Sequence, residues 1–381
     1  MAVMTDENLQ MKHMIRSFVE NEVEPYAQQI EEEDRIPEHL IDKAKELGLF
    51  GISIPEEYGG IGLDTVGKSI VLEQLGRTHN GYVSLISAHT GIGSTGLVRL
   101  GSDFLKRKYL PAMAAGEKIG CFALSEPGAG SDATNLSTRA IKKGDKWLLN
   151  GTKHFITNAP IADLFTVFAV TDKEKGAKGG ITAFLIEKDF PGLIIGAKDK
   201  KMGLRGSYTS QVIFEDCEVP EENVIGEVGM GYMSALRILG EGRVGLAARS
   251  VGSADKLIEM STRYVKERVQ FGKPIASNQG IQWMLAEMAT ETEAARQLTL
   301  MAARLIDEGK KAIKEASMAK MFATDVFNKV ADQAVQLHGG MGYVSEYPIE
   351  RFYRDARITK IYEGTNEIQK IIIARHILDE Q

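Results

Sequence analysis

LFTVFAVT (164–171), ITAFLIE (181–187) and SQVIFEDCEV (210–219) are short, β-branched or aromatic, and bounded by Gly, Pro, Asp and Lys. Runs of this kind read as strands, so residues 119–225 form a β domain. Both flanks differ. Upstream, in residues 1–118, the stretches Asn8–Ala27, His39–Leu47, Ser69–Thr78 and Asp103–Ala115 carry helical apolar spacing. They are broken by the glycine-rich loop PEEYGGIGLD (55–64). Downstream, in residues 226–381, long helical patterns return, joined at FGKPIASNQ (271–279), at Asp307–Gly309 and at HGGMGYVSEYP (338–348). Helices this long with short joints predict an antiparallel bundle. The fold class is α+β multidomain: an all-α N-terminal domain, a middle β-barrel-like domain and a C-terminal four-helix bundle.

Composition narrows the function. A chain of 381 residues with 43% hydrophobic and 26% charged residues is an ordinary globular protein with room for two or three domains. A net charge of −6 argues against nucleic acid as a partner. No apolar run reaches the ~18 residues of a membrane span. The N-terminal MAVMTDENLQ is polar and acidic, unlike a secretory or Arg-rich transit segment, so a cytoplasmic location is expected. Cys121 and Cys217 lack metal-ligand spacing and sit in apolar or strand-like context, so both read as reduced and structural. His338 has no second His or Cys at metal spacing, and no metal is assigned.

Two nucleotide motifs match by letter and fail by context. Gly62–Ser69, GLDTVGKS, fits G-x-x-x-x-G-K-[ST], with Lys68 and Ser69 as phosphate and magnesium residues, but a turn-rich segment precedes it where a buried strand is needed. Gly91, Gly93 and Gly96 fit G-x-G-x-x-G, yet no second strand follows at βαβ spacing. Small residues of a buried helix explain that match more simply.

Chemistry concentrates in IYEGTNEIQ (361–369). Glu363, beside Gly364 and under aromatic cover, can be desolvated, which makes a carboxylate a better base. Gly364 lets a substrate carbonyl approach backbone N–H groups that stabilise a developing oxyanion. The pair suits removal of a proton α to a carbonyl. Four further segments accompany it: CFALSEPGAGSDA (121–133), NGTKHFITNA (150–159), ERVQFGKPI (267–275) and QLHGGMGY (336–343). The first ends a strand in a loop of exposed backbone N–H groups. The second puts Phe155 and Thr157 on one strand face, a stacking surface and a hydroxyl two residues apart. Taken singly, Arg268 reads as a surface ion-pair residue and Phe155 as core.

These five segments in fixed order strongly resemble the acyl-CoA dehydrogenase family, over essentially the whole chain. The resemblance implies noncovalent FAD between the β domain and the bundle of a homotetramer, a dimer of dimers. It implies that Phe122, Leu124 and Ser125 address the flavin's polar edge, that Phe155 covers the ring, and that Thr157 meets its reactive nitrogen. Arg268, Gln270 and Phe271 would reach the pyrophosphate and adenosine of a neighbouring subunit's FAD, completed by Gln279, Gln336, Gly339 and Gly340. Thr365 and Asn366 would hold the cofactor beyond the base. Ser131 would lie at the mouth of the thioester site and Arg243 would contact the CoA portion. Glu363 would be the base, making a trans-2-enoyl-CoA from a short- to medium-chain acyl-CoA, with electrons passed to an electron-transfer flavoprotein. Straight-chain relatives often carry an aspartate where this chain has Gly240, which puts the adenine contact in doubt. Branched- and long-chain relatives place their base where this chain has Gly242, so the straight-chain type is expected, with a C4 to C8 preference. Ser87, Ala88 and Gly91 are expected to set the tunnel depth. The rivals are an acyl-CoA oxidase, a branched-chain dehydrogenase, a flavin monooxygenase of the same fold and, from another class, a DNA-binding relative.

Overall fold

The computed structural model describes residues 5–379; residues 1–4, part of the polar N-terminal stretch, and residues 380–381 lie outside the described residues. The N-terminal region holds α1 (Asp6–Phe18), α2 (Ala27–Glu33), α3 (Glu38–Glu46), α4 (Thr65–Leu75), α5 (Asn80–Ala88), α6 (Ser94–Leu100) and α7 (Asp103–Ala114). Side chains set several starts: Thr5, Asp64 and Ser102 accept from the N–H groups of Asn8, Gly67 and Leu105. Each satisfies a donor that the first helical turn leaves orphaned. The stretch Asn8–Ala27 is not one α-helix. A π-helical turn, Val19–Val23, and a 3-10 turn, Glu24–Tyr26, interrupt it where Pro25 cannot donate to the ladder. A second π-helical turn, His89–Gly93, joins α5 to α6; such turns recur at functional sites.

The middle region contains β1 (Gly120–Ala123), β2 (Arg139–Lys143), β3 (Lys146–Thr157), β4 (Leu164–Val170), one short turn α8 (Ala177–Gly180), β5 (Ile181–Glu187), β6 (Leu193–Ile195), β7 (Thr209–Pro220) and β8 (Val224–Ile225). The strand order is β6-β7-β3-β2-β4-β5-β8, with β1 parallel to β4. The barrel expected from the sequence is not closed: the sheet is an open path from β6 to β8. β4 and β5 are buried on both faces, which is why their sequences show no polar alternation. One face packs on Trp147, which meets Phe184 of β5; the other meets Leu97, Leu105 and Ile238 from neighbouring helices.

The C-terminal region runs α9 (Gly231–Glu267), a hairpin of β9 (Val269–Gln270) and β10 (Lys273–Pro274), α10 (Gln279–Asp307), α11 (Ile313–His338), α12 (Ile349–Thr359) and α13 (Asn366–Asp379). α9, α10 and α11 share a core of Val244, Val251, Ala302, Ala323, Phe327 and Val330, and α13 lies along α11.

The regions are locked together by polar contacts as well as packing. Asp307 at the end of α10 accepts from the N–H groups of Thr65 and Val66 at the start of α4, at 2.7 and 2.9 Å. Buried Glu31 accepts from Arg354 at 2.5 Å and lies 3.5 Å from Arg205 and 3.2 Å from His79. One carboxylate thus joins all three regions. α4 and α9 approach backbone to backbone. A Cβ on Gly252 would lie 1.8 Å from the Glu73 carbonyl oxygen, and one on Gly76 would lie 2.2 Å from that of Arg249. That contact brings one face of α4 against the Gly242–Arg249 stretch of α9, where the site forms.

Candidate active site

Glu363 lies in the tight connection between α12 and α13, with positive φ at both Glu363 (55°) and Gly364 (89°). A non-glycine residue held in the left-handed region is strained by about 1–2 kcal/mol, and such strain gathers at functional sites. Its restraints come from below. The Lys320 ammonium and the Gln369 side-chain amide each donate to the Gly364 carbonyl at 2.9 Å. Thr365 accepts from the Ile368 N–H and so caps α13.

The Glu363 Oε2 atom is buried and has no hydrogen-bond partner among the described residues. It occupies the space over Gly242, where a Cβ would stand 2.8 Å from it. Positions 242, on α9, and 363, in the α12–α13 connection, therefore address the same point, and a side chain at 242 would push the carboxylate aside. Burial raises the Glu363 pKa, against the opposing fields of Arg249, Lys320 and Arg243. A carboxylate so placed is a candidate proton acceptor of raised basicity.

A cavity of about 40 Å³ opens beside it, lined by Gly91, Thr90, Gly242, Leu246 and Arg249 among others. Ser87 lines it too, but Ala88, the next residue and a turn of about 100° further round α5, does not. A Cβ at Gly91 would meet nothing within 4 Å, as expected of a residue facing open space. Lys68 and Ser69, the end of the P-loop-like match, also line it. They sit on α4 behind the Asp64 cap, with no strand before them. Gly93 and Gly96 serve close packing: a Cβ at Gly93 would lie 2.7 Å from the Gly120 carbonyl oxygen, and one at Gly96 3.0 Å from Ile238.

The middle region presents a second surface. β3 slips register against β7 between Lys153 and Ile156, and in this bulge Phe155 takes φ 58°. Its ring is 67% exposed, against the core position expected from the residue alone. Ile156 points inward while Thr157, like Phe155, stays outside the core. Phe122 and Leu124 are buried and pack in the core, Phe122 against Phe168. They can offer only backbone groups outward. Ser125 is half-buried and Ser131 exposed, and between them a Cβ on Gly128 or Gly130 would meet nothing within 4 Å. The loop rests on a buried ion pair. Glu126 lies 2.8 Å from Lys153 and accepts from the Ser137 and Thr138 N–H groups at 2.6 and 3.0 Å. Burial opposes ionisation of both partners. The Lys153 charge and the hydrogen bonds prevail for Glu126, held down to about 2, whereas burial prevails for Lys153, lowered to about 8.

The remaining expected residues form a separate exposed group at one end of the bundle. Arg268 follows α9, Gln270 and Phe271 lie in the β9–β10 hairpin, Gln279 begins α10, and Gln336, Gly339 and Gly340 end α11. The Tyr264 hydroxyl donates to the His338 carbonyl and ties the two ends together. Phe271 is wholly exposed at φ 52°, and Tyr343 is 85% exposed.

Two expected residues are buried within the chain. The Asn366 side chain is fully committed inside the chain: its Oδ1 accepts from Lys320 at 2.8 Å, and its Nδ2 donates to Thr324 and Asp325 at 3.1 Å. These bonds pin α13 to α11. Arg243 is 4% exposed and lies beneath Gly364, 3.9 Å from where a Cβ would stand. Three residues around Glu363 escaped sequence reasoning: Arg249, Lys320 and Gln369. Lys320 had a signal, since it is the one cation on the inward stripe Ala316, Ala319, Ala323, Phe327 of α11.

Comparison with known proteins agrees with this geometry. Residues 5–117, 121–217 and 229–378 match in turn the N-terminal, middle and C-terminal domains of acyl-CoA dehydrogenase. The chain is 46% identical over 374 residues to an acyl-CoA dehydrogenase of Bacillus subtilis, covering 98% of each. The butyryl-CoA dehydrogenase of Megasphaera elsdenii superposes with a TM-score of 0.96 at 39% identity, covering 99% of each chain. An acyl-CoA dehydrogenase of Bacillus anthracis complexed with FAD superposes at 0.92 with 39% identity, over 99% of this chain and 67% of that one. With family domains matched along nearly its full length, and a buried carboxylate and an exposed aromatic bulge in one fold, this chain belongs to the acyl-CoA dehydrogenase family.

Proposed function

We propose that this chain dehydrogenates a short acyl-CoA to the trans-2-enoyl-CoA, with Glu363 taking the α-proton. The observation that carries the reading is the Glu363 carboxylate, buried, unpartnered and held over Gly242 at the cavity mouth. FAD fits the rest of the site: the Phe155 ring stands exposed on its bulge, and the Gly128–Gly130 loop leaves backbone donors uncovered. Phe155, Thr157, Ser125 and the Phe122 and Leu124 backbone would hold the flavin. When bound, the cofactor supplies the acceptor for the β-hydrogen and its electron pair. Lys320 and Gln369 keep Glu363 in its strained turn, and the Gly364 turn leaves the Glu363 N–H as a donor for the thioester oxygen. The electrons would pass to an electron-transfer flavoprotein.

Acyl-CoAs from C4 to C16, added without oxygen to flavin-loaded protein, test the reading through loss of oxidised-flavin absorbance. Bleaching should be strongest between C4 and C8, since each methylene that fits gains roughly 0.8 kcal/mol and one that does not fit gains nothing. Gly91→Val, which fills open space, should move the optimum to shorter chains. An optimum at C16 or isovaleryl-CoA would overturn the chain-length reading, and rapid peroxide formation in air would indicate an oxidase.

The exposed group at Arg268 supports shared FAD sites in a homotetramer, because an arginine fork suits phosphate and these residues stand apart from Phe155. Arg268→Ala should release flavin and lower the melting temperature by loss of ligand linkage. A fully flavinated, stable monomer would contradict the shared site.

A further inference from the structure

Arg249 is a charged residue in the cavity that α-proton removal does not use. It is 5% exposed and lines the same cavity as Glu363. Nη1 donates to the Ser84 and Ser87 hydroxyls at 3.4 and 2.9 Å, and Nη2 to the Tyr362 hydroxyl. Every one of these partners is neutral. Among the described residues no carboxylate lies within ion-pair distance of it. Of the five N–H donors of a guanidinium, the Nε–H and one on Nη2 have no acceptor among the described residues. Those two nitrogens form the fork that a carboxylate bridges. A buried cation without an adjacent anion is costly, and a neutral hydrocarbon tail would give it nothing.

Local charge points the same way. Glu363 stands in the field of three cations, Arg249, Lys320 and Arg243, and Arg249 in turn feels Glu363 and, less strongly, Asp355. Lys68, in the same cavity, already has Glu241 near it. A second carboxylate beside Arg249 would improve the balance. We infer that the acyl group this site takes ends in a carboxylate: the substrate class is a short ω-carboxyacyl-CoA, of four or five acyl carbons, gripped at its far end by Arg249. This rests on the proposed dehydrogenation and specifies its substrate. The length follows from the fold. Gly242, under the base, and Arg249 are seven residues apart on α9, roughly 10 Å at 1.5 Å per residue, and the arginine reaches back toward the helix N-terminus. After the base contact and the carboxylate contact are allowed for, only a few carbons fit between them.

The test compares glutaryl-CoA and succinyl-CoA with pentanoyl-CoA and butyryl-CoA, by calorimetric binding and by anaerobic flavin bleaching of the loaded protein. The wild type should bind and turn over the carboxylated member of each pair at least tenfold better. Arg249→Gln, which keeps hydrogen bonds to the serines without the charge, should reverse that ratio. Arg249→Lys should retain part of the preference. Wild-type preference for the neutral acyl-CoAs overturns the inference while leaving the dehydrogenase reading intact. So does an equal loss on all four substrates in Arg249→Gln, which would mean that the arginine serves only the packing or the base. Failure of every acyl-CoA, carboxylated or neutral, to bleach the flavin overturns both.

Discussion

Glu363→Gln should keep the fold and the flavin while cutting turnover by on the order of 10²–10⁴-fold or more, the usual cost of losing a general base. Gln preserves the side-chain volume over Gly242, so the cavity stays as it is and substrate binding should persist. The pH dependence has a definite sign. Burial raises the Glu363 pKa above its ordinary value, so in the wild type activity should climb as pH rises through that raised pKa. For stability the same shift works in reverse. A carboxyl whose folded pKa is raised favours the fold fully below its unfolded pKa and loses that contribution as pH rises through the folded value. Gln has no proton to lose, so the variant should melt at or above the wild-type temperature near neutral pH. Single-turnover bleaching and a melting curve in the same buffer check both halves. Near wild-type bleaching would remove Glu363 from the role of base.

Lys153→Met should cost about 3–5 kcal/mol of stability, because it leaves the Glu126 carboxylate buried without its counter-charge. The side chains of the pair are 0% and 1% exposed, so solvent cannot replace the lost partner. Lys153 also donates to the Leu124 carbonyl at 3.1 Å, and its neighbour, the His154 N–H, donates to that of Ser125 at 2.9 Å. Disturbing this strand should therefore loosen the Ser125–Ala129 loop and weaken flavin retention as well as the fold. The wild-type Glu126 carboxyl, held at about 2, contributes stability above its unfolded pKa that disappears as pH falls toward about 2. The gap between wild type and variant should thus be widest near neutrality and narrow in acid. Denaturant melts at pH 7 and pH 3, with flavin release followed by fluorescence, test this. A gap unchanged between the two pH values would show that the lysine acts through packing alone.

Much of the molecule was legible in local pattern. The unbroken apolar runs of 164–171 and 181–187 announced strands covered on both faces, and they became β4 and β5. The long periodic stretches after Gly226 announced the bundle. Glu363 and Phe155 stood out in the sequence only through the five segments taken together, since an acid beside a glycine or a lone phenylalanine is by itself ordinary. Such features depend on neighbours in sequence, which a reader of one chain can see. One departure was also local in cause: Pro25 broke the first helix.

What only the tertiary structure decided depends on residues far apart in the chain. Asn366 looked available until α11 supplied Lys320, Thr324 and Asp325 to consume its hydrogen bonds. Arg249 looked like one more polar residue of a long helix until α5 and the α12–α13 turn surrounded it with hydroxyls instead of carboxylates. Lys68 matched a phosphate-binding motif until α4 packed on α9 and turned it into a cavity wall. Periodicity reports which face of a helix is apolar, whereas the worth of a buried charge is set by what other elements place within a few ångströms of it. The sequence by itself therefore determined the elements and the family; the long-range packing decided which charges and hydroxyls surround the Glu363 pocket.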